Sequence, residues 1–309
     1  MNPASFISPV VRNLPPSGIR KFFDLVAETK GVISLGVGEP DFVTPWHIRE
    51  ACVYSLEKGY TMYTSNYGLL ELREEIAKYL NSNFGVSYDP QRELMVTVGA
   101  SEGVDLAMRA LLSPGDEVLI PDPSYVSYMP CVTLAGGVAV PVPTRAEDEF
   151  KLDPQILESL ITPRSKILVL CYPNNPTGAL MTATELAAIA KVAERHNLVV
   201  VSDEIYVELT YEGKPVSFAS LPGMRDRTIL LSGFSKAFAM TGWRIGYIAA
   251  NPEFLAAMVK IHQYTILCAP VMGQMAALEA LRNGESEKDR MVNTYNQRRL
   301  FVVNSLREM

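Results

Sequence analysis

Lys236 sits in Leu230-Leu231-Ser232-Gly233-Phe234-Ser235-Lys236-Ala237-Phe238, where nothing nearby solvates a charge well. A lone lysine is ordinarily a solvated loop residue. Among small and apolar neighbours its ammonium form is disfavoured, which predicts a lowered pKa and a neutral amine able to form a Schiff base with an aldehyde. Arg244 follows between Gly242 and Gly246, just ahead of the apolar run 245–250. A planar guanidinium there can grip a phosphate through two parallel hydrogen bonds, with a surface ion pair as the alternative. Asp203 closes the run Val199-Val200-Val201-Ser202. A carboxylate in that place is costly to bury without a cationic partner, and Glu204 competes for the same part. Val98-Gly99-Ala100-Ser101 joins a predicted strand to a predicted helix. The unpaired first amides of that helix favour an anion, and Ser101 either adds a hydroxyl or simply caps. Asn174-Asn175-Pro176-Thr177-Gly178 reads as a structural turn or as a polar contact after a buried strand.

These clusters share one property: each falls at the end of a strand-like run. From residue 93 onward strand and helix patterns alternate, with strands predicted over 95–98, 117–120, 138–142, 166–171, 198–202, 228–231 and 245–250. Helices are predicted over 101–112 and 182–195, and several strands are apolar throughout, as in a sheet covered on both faces. In such sheets ligands sit at the carboxyl ends of the strands. Ahead of this region, Ser17 is predicted to cap a helix over 19–29, and 32–35 reads as a strand. Thr44 is predicted to cap a helix with Pro45 at its first position and Gly59 as its stop, and 69–83 has helical periodicity. One long helical region is predicted from Pro252 to about residue 283. Another follows over 285–309, with Leu300, Val303 and Leu306 on its apolar face.

The Gly233-Phe234-Ser235-Lys236 core, its spacing to Arg244 and the closing Ile245-Gly246 resemble the lysine-site signature of class I/II aminotransferases. These are the fold-type I enzymes that use pyridoxal 5′-phosphate (PLP). The resemblance runs from Gly36-Val37-Gly38-Glu39-Pro40-Asp41-Phe42 to the last helices. It implies an α/β/α large domain with a mostly parallel sheet and a small domain that is incomplete here. The expected division is 1–45 as N-terminal arm and small-domain segment, 46–284 as the PLP-binding domain, and 285–309 as the start of the C-terminal small domain.

By the same resemblance, Lys236 carries the cofactor and then moves a proton, and Tyr125 stacks on the pyridine face. Asn175 and Tyr206 meet the phenolic oxygen, and Asp203 pairs with the ring nitrogen. Gly99, Ala100, Ser101, Ser235 and Arg244 cradle the phosphate, joined by Tyr63 from the neighbouring subunit of a homodimer. Ile19, Gly38 and Asn175 border the substrate. The implied activity is a ping-pong transamination with 2-oxoglutarate as the usual acceptor, in the aspartate, aromatic or N-acetyl-diaminopimelate branch. Fold and cofactor do not fix the reaction, so carbon–sulfur lyases, aminocyclopropane-carboxylate synthases, decarboxylating enzymes and a PLP-binding regulator are the competing readings. One departure stands out. Relatives continue beyond the position of Met309 to a strand-borne arginine that grips the substrate carboxylate. Nothing in 300–309 matches it, and Arg307 lies in a helical run. The chain is therefore expected to be truncated or to draw that cation from elsewhere; a truncated chain should expose an apolar patch.

The totals are those of an ordinary soluble globular protein: 309 residues, 48% hydrophobic and 20% charged. A net charge of −6 without a basic cluster argues against a nucleic-acid footprint. No run is long enough to span a membrane, and the start lacks a signal-peptide pattern. Cys52, Cys131, Cys171 and Cys268 are scattered, as are His47, His196 and His262. That spacing suits reduced thiols in a cytoplasm, and it offers no metal site.

Overall fold

The computed structural model describes residues 1–16 and 38–309. The predicted helix over 19–29, the strand over 32–35 and Ile19 lie outside the described residues. Seven strands form one sheet: β1 (Leu94–Thr97), β2 (Glu117–Asp122), β3 (Val138–Pro143), β4 (Ser165–Leu170), β5 (Val199–Asp203), β6 (Thr228–Gly233) and β7 (Gly246–Ala249). Their order is β1-β7-β6-β5-β4-β2-β3. Neighbours from β6 to β3 pair in parallel, whereas β7 runs antiparallel to both β6 and β1.

The helices are α1 (Pro9–Asn13), α2 (Trp46–Glu57), α3 (Leu70–Phe84), α4 (Gly99–Leu111), α5 (Tyr128–Leu134), α6 (Pro154–Ser159), α7 (Ala183–Arg195), α8 (Pro252–Thr265), α9 (Val271–Asn283) and α10 (Glu285–Glu308). Alternate strand residues supply the two faces of the sheet, since successive side chains point opposite ways. Met95, Ile229, Leu231 and Ile248 pack with Val104 and Met108 of α4 and with Leu255 and Met258 of α8. On the other face Leu94, Val96 and Leu230 pack with Leu72 and Ile76 of α3 and with Ala276 and Ala277 of α9. Leu168 and Val200, on that same face, meet Leu186 and Ile189 of α7. The expected three-layer α/β/α arrangement with a mostly parallel sheet is what the chain forms.

Local signals explain most boundaries. Thr182 and Glu185 make a reciprocal capping box at α7, and Gly85 closes α3 in the left-handed region at φ 68°. Two expectations need correction. Thr44 does not cap α2: Pro45 takes that position, and the Thr44 hydroxyl donates instead to the Ala239 carbonyl at 2.5 Å. The long helix after Pro252 is two helices. Leu267 turns to φ 71°, and Pro270, which lacks an N–H to continue the ladder, starts α9. Of the apolar residues expected on one face of α10, Leu300 and Leu306 are exposed and Val303 is half-buried. No helix of the described residues is long and apolar enough to cross a membrane.

Candidate active site

Strand direction decides what meets what. The carboxyl ends of β4, β5 and β6 lie side by side, so Asn175, Asp203 and Lys236 leave the sheet at one edge. Because β7 runs the other way, its beginning lies at that same edge. There Gly246 pairs with Thr97 of β1 and with Gly233 of β6, which sets Arg244 beside the β1–α4 turn. The result is a cleft of about 700 Å³, lined by residues from every one of these strand ends.

The turn into α4 is built to approach an anion. Gly99 has φ 75°, and a Cβ on it would lie 2.6 Å from Arg244 Nη2. A Cβ on Gly246 would meet the Ala100 nitrogen at 2.5 Å. Gly242, in contrast, has open space around it, so only the glycine after Arg244 is required by contact. No side chain caps the start of α4, leaving its first amides for another partner. Ala100, Ser101 and Ser235 line the cleft with Arg244. Arg244 itself takes φ 55° and donates from Nη1 to the Thr241 carbonyl at 3.0 Å. Among the described residues it makes no ion pair.

Lys236 is half-buried, and its Nζ donates to the Gly38 carbonyl at 2.6 Å. Burial pushes its pKa down; Arg244 adds to this, while Glu39 and Asp203 oppose it. Asn175 Nδ2 donates to the Tyr206 hydroxyl at 3.2 Å, and burial raises the Tyr206 pKa to about 12. Asp203 is 5% exposed. Burial raises its pKa, while the Tyr128 hydroxyl, the Ile205 amide and Lys236 pull it down. Tyr128 Oη donates to Asp203 Oδ2 at 2.8 Å, and the Ile205 N–H to Oδ1 at 3.2 Å.

Tyr128 was not among the residues singled out from the sequence, where it reads as second-layer packing. The signal was its position one turn beyond Tyr125: the two rings meet edge to face at 5.5 Å. Glu204, the competitor for Asp203's part, turns away from the cleft. Its Oε1 accepts from Ser202 Oγ, Ser217 Oγ and the Phe218 amide at 2.9, 3.0 and 3.0 Å. Burial raises its pKa from 4.5 to about 7. Between those values the folded chain holds a proton that the unfolded chain has released. Stability should therefore fall as pH rises from 4.5 to about 7, by about 3 kcal/mol in all. Glu204→Gln keeps the acceptor and is expected to flatten that slope; urea melts at pH 5 and pH 7 measure it.

Of the residues singled out from the sequence, Gly38, Ala100, Ser101, Tyr125, Asn175, Asp203, Tyr206, Ser235, Lys236 and Arg244 converge on the cleft. Gly99 lies just behind it as the turn glycine. Tyr63 is 82% exposed and does not line it. This arrangement suits PLP on its own terms. Among the described residues the buried Asp203 carboxylate and the Arg244 guanidinium make no ion pair, and the Lys236 amine, its pKa lowered by burial, lines the same cleft. The "Aminotransferase class I and II" family profile matches residues 30–309.

The chain belongs to the class I and II aminotransferases.

YugH of Bacillus subtilis (strain 168) is 53% identical over 305 residues, which are 99% of this chain and 79% of YugH. Aromatic-amino-acid aminotransferase 2 of Thermococcus litoralis is 46% identical over 95% of this chain and 76% of its own. Among solved structures, the aspartate aminotransferase of Thermus thermophilus with maleate superposes with a TM-score of 0.93 at 38% identity, covering 98% of this chain and 80% of that one. This aminotransferase is a PLP-dependent transaminase of fold type I.

Proposed function

We propose that this aminotransferase moves an amino group from an L-amino acid of aspartate, aromatic or N-acetyl-diaminopimelate type to a 2-oxo acid such as 2-oxoglutarate, in two half-reactions of a ping-pong cycle. The observation that carries the reading is one cleft holding the half-buried Lys236 amine, the buried Asp203 carboxylate and the Arg244 guanidinium, which makes no ion pair among the described residues. When bound, PLP supplies an aldehyde and a ring that takes up the electron pair released at the substrate's α-carbon.

The chain supplies the rest. The 99–101 amides, Ser101, Ser235 and Arg244 would hold the phosphate, and Tyr125 would lie against the ring. Asn175 and Tyr206 would donate to the phenolic oxygen, and an ionised Asp203 would favour a protonated ring nitrogen. Lys236, whose charge burial disfavours, would take the proton from the substrate's α-carbon. Gly38, Asn175 and Ile19 border the substrate. Tyr63, exposed here, reaches the phosphate of a second copy in a homodimer. Residues 46–284 form the cofactor domain, with 1–45 and 285–309 belonging to a smaller one. The four scattered cysteines suit a cytoplasmic location.

A screen of amino donors against 2-oxoglutarate tests the assignment. Aspartate or an aromatic amino acid is expected to exceed unrelated donors by about 10-fold or more in kcat/KM, a margin that one well-placed polar contact supplies. Elimination or decarboxylation without amino-group exchange would overturn it in favour of a lyase.

A further inference from the structure

His262 is fully buried on α8 and does not line the cleft. Its Nδ1 lies 2.7 Å from Oε1 of Glu102, on α4. The other oxygen of Glu102 accepts the Val98 N–H at 2.5 Å. Val98 is the residue just before α4, and its peptide leads straight into the Gly99 turn. As Glu185 does at α7, Glu102 reaches back to the N–H of the cap residue, but here the cap is Val98 and has no polar side chain to answer it. It satisfies that donor and leaves the N–H groups of Gly99, Ala100 and Ser101 with no side-chain partner.

Neighbouring bonds fasten this turn and the end of α8. Thr97 Oγ1 donates to the Gly99 carbonyl at 2.9 Å. The His262 carbonyl accepts from the Ile266 and Leu267 amides at 2.8 and 3.1 Å, and the Leu267 carbonyl accepts from Asn66 Nδ2 at 2.8 Å. The imidazole is thus held in a fixed helix end. Its Nε2 is buried and has no hydrogen-bond partner among the described residues.

We propose that Glu102, oriented by His262, is a positioning residue for the anion cup, holding the Val98–Gly99 turn so that the three free amides converge on the side of Arg244. This rests on the reading that the cup takes the cofactor's phosphate. The pair touches neither cofactor nor substrate.

The test titrates the cofactor-free chain with PLP and with pyridoxal, which has the aldehyde but no phosphate, and follows absorbance. Glu102→Ala is expected to weaken PLP by about 10- to 100-fold, the worth of one charge-assisted hydrogen bond, and pyridoxal by less than about 2-fold. Glu102→Gln keeps an acceptor for the Val98 N–H and should stay within about 3-fold of the parent for PLP. His262→Leu fills the space but removes the ring nitrogen, and should lower the PLP-to-pyridoxal preference about 10-fold; His262→Asn, which retains a donor, should restore most of it. Equal losses for both aldehydes, or none for PLP, would overturn the proposal. If Glu102→Ala does not fold, the Leu and Asn variants at 262 decide it by the same ratio. Arg244→Gln separates the two readings. If it leaves the preference intact, the cup is not a phosphate site. If it abolishes the preference while the Glu102 and His262 variants do not, only the positioning role fails.

Discussion

Replacing Lys236 by alanine is expected to lower transamination by about 10⁴-fold, the upper range for a positioned proton-transfer group. Borohydride should then fix no PLP to the chain. The Lys236 side chain has one hydrogen bond among the described residues, to the Gly38 carbonyl, and burial already works against its charge. Removing it takes away an amine that the fold tolerates rather than requires. The melting temperature of the cofactor-free chain should therefore move by no more than about 2 °C, the shift that about 1 kcal/mol gives in a chain of this size. Lys236→Arg sharpens the point. It keeps a cation near Asp203 but cannot lose its proton, so it should be as inactive as alanine. Mass spectrometry after reduction locates the adduct in the parent chain. Turnover retained in either variant, or an adduct at a different lysine, would remove Lys236 from the mechanism.

The strand-end residues were legible because apolar runs announce buried strands, and the charged residues just past them fall where the chain leaves the sheet: Asp203 ends the Val199–Ser202 run, and Lys236 follows the 228–231 run beyond Ser232 and Gly233. What stayed hidden depended on contacts between distant segments. Glu102 and His262 are 160 residues apart, and neither has a local signature beyond a helical pattern. Tyr128 starts a helix of 7 residues that no periodicity window resolves. The break at 266–270 was masked because apolar spacing runs through it, although Pro270 was the available cue. On α10 the pattern gave the helix but not the burial of its apolar face: Leu300 and Leu306 stay exposed. Arg307 lies in that helix, as the pattern implied, and not after a strand.

Asp203→Asn should separate stability from activity, because the two make opposite demands on this carboxylate. In the cofactor-free chain Asp203 is buried with hydrogen bonds from Tyr128 and Ile205 but no paired cation, and burial raises its pKa. An amide removes the cost of burying charge. Its oxygen can accept the Ile205 N–H while its nitrogen donates to a rotated Tyr128 hydroxyl. The cofactor-free variant is therefore expected to melt about 2 °C or more above the parent at neutral pH. Turnover should fall by about 10²- to 10³-fold, the loss seen when one preorganised electrostatic partner is removed. Because a raised carboxyl pKa makes the active, ionised form fail as pH falls, the acidic limb of kcat/KM that Asp203 sets should vanish in the Asn variant. Tyr128→Phe provides the intermediate case. Losing the donor that holds Asp203 ionised should move that limb to higher pH and cut kcat by about 10-fold, with KM nearly unchanged. An Asn variant that keeps both the limb and full turnover would mean that Asp203 faces something other than a protonated ring nitrogen. If its stability fell as well, the carboxylate would already be paired in the cofactor-free chain, contrary to the geometry around Tyr128.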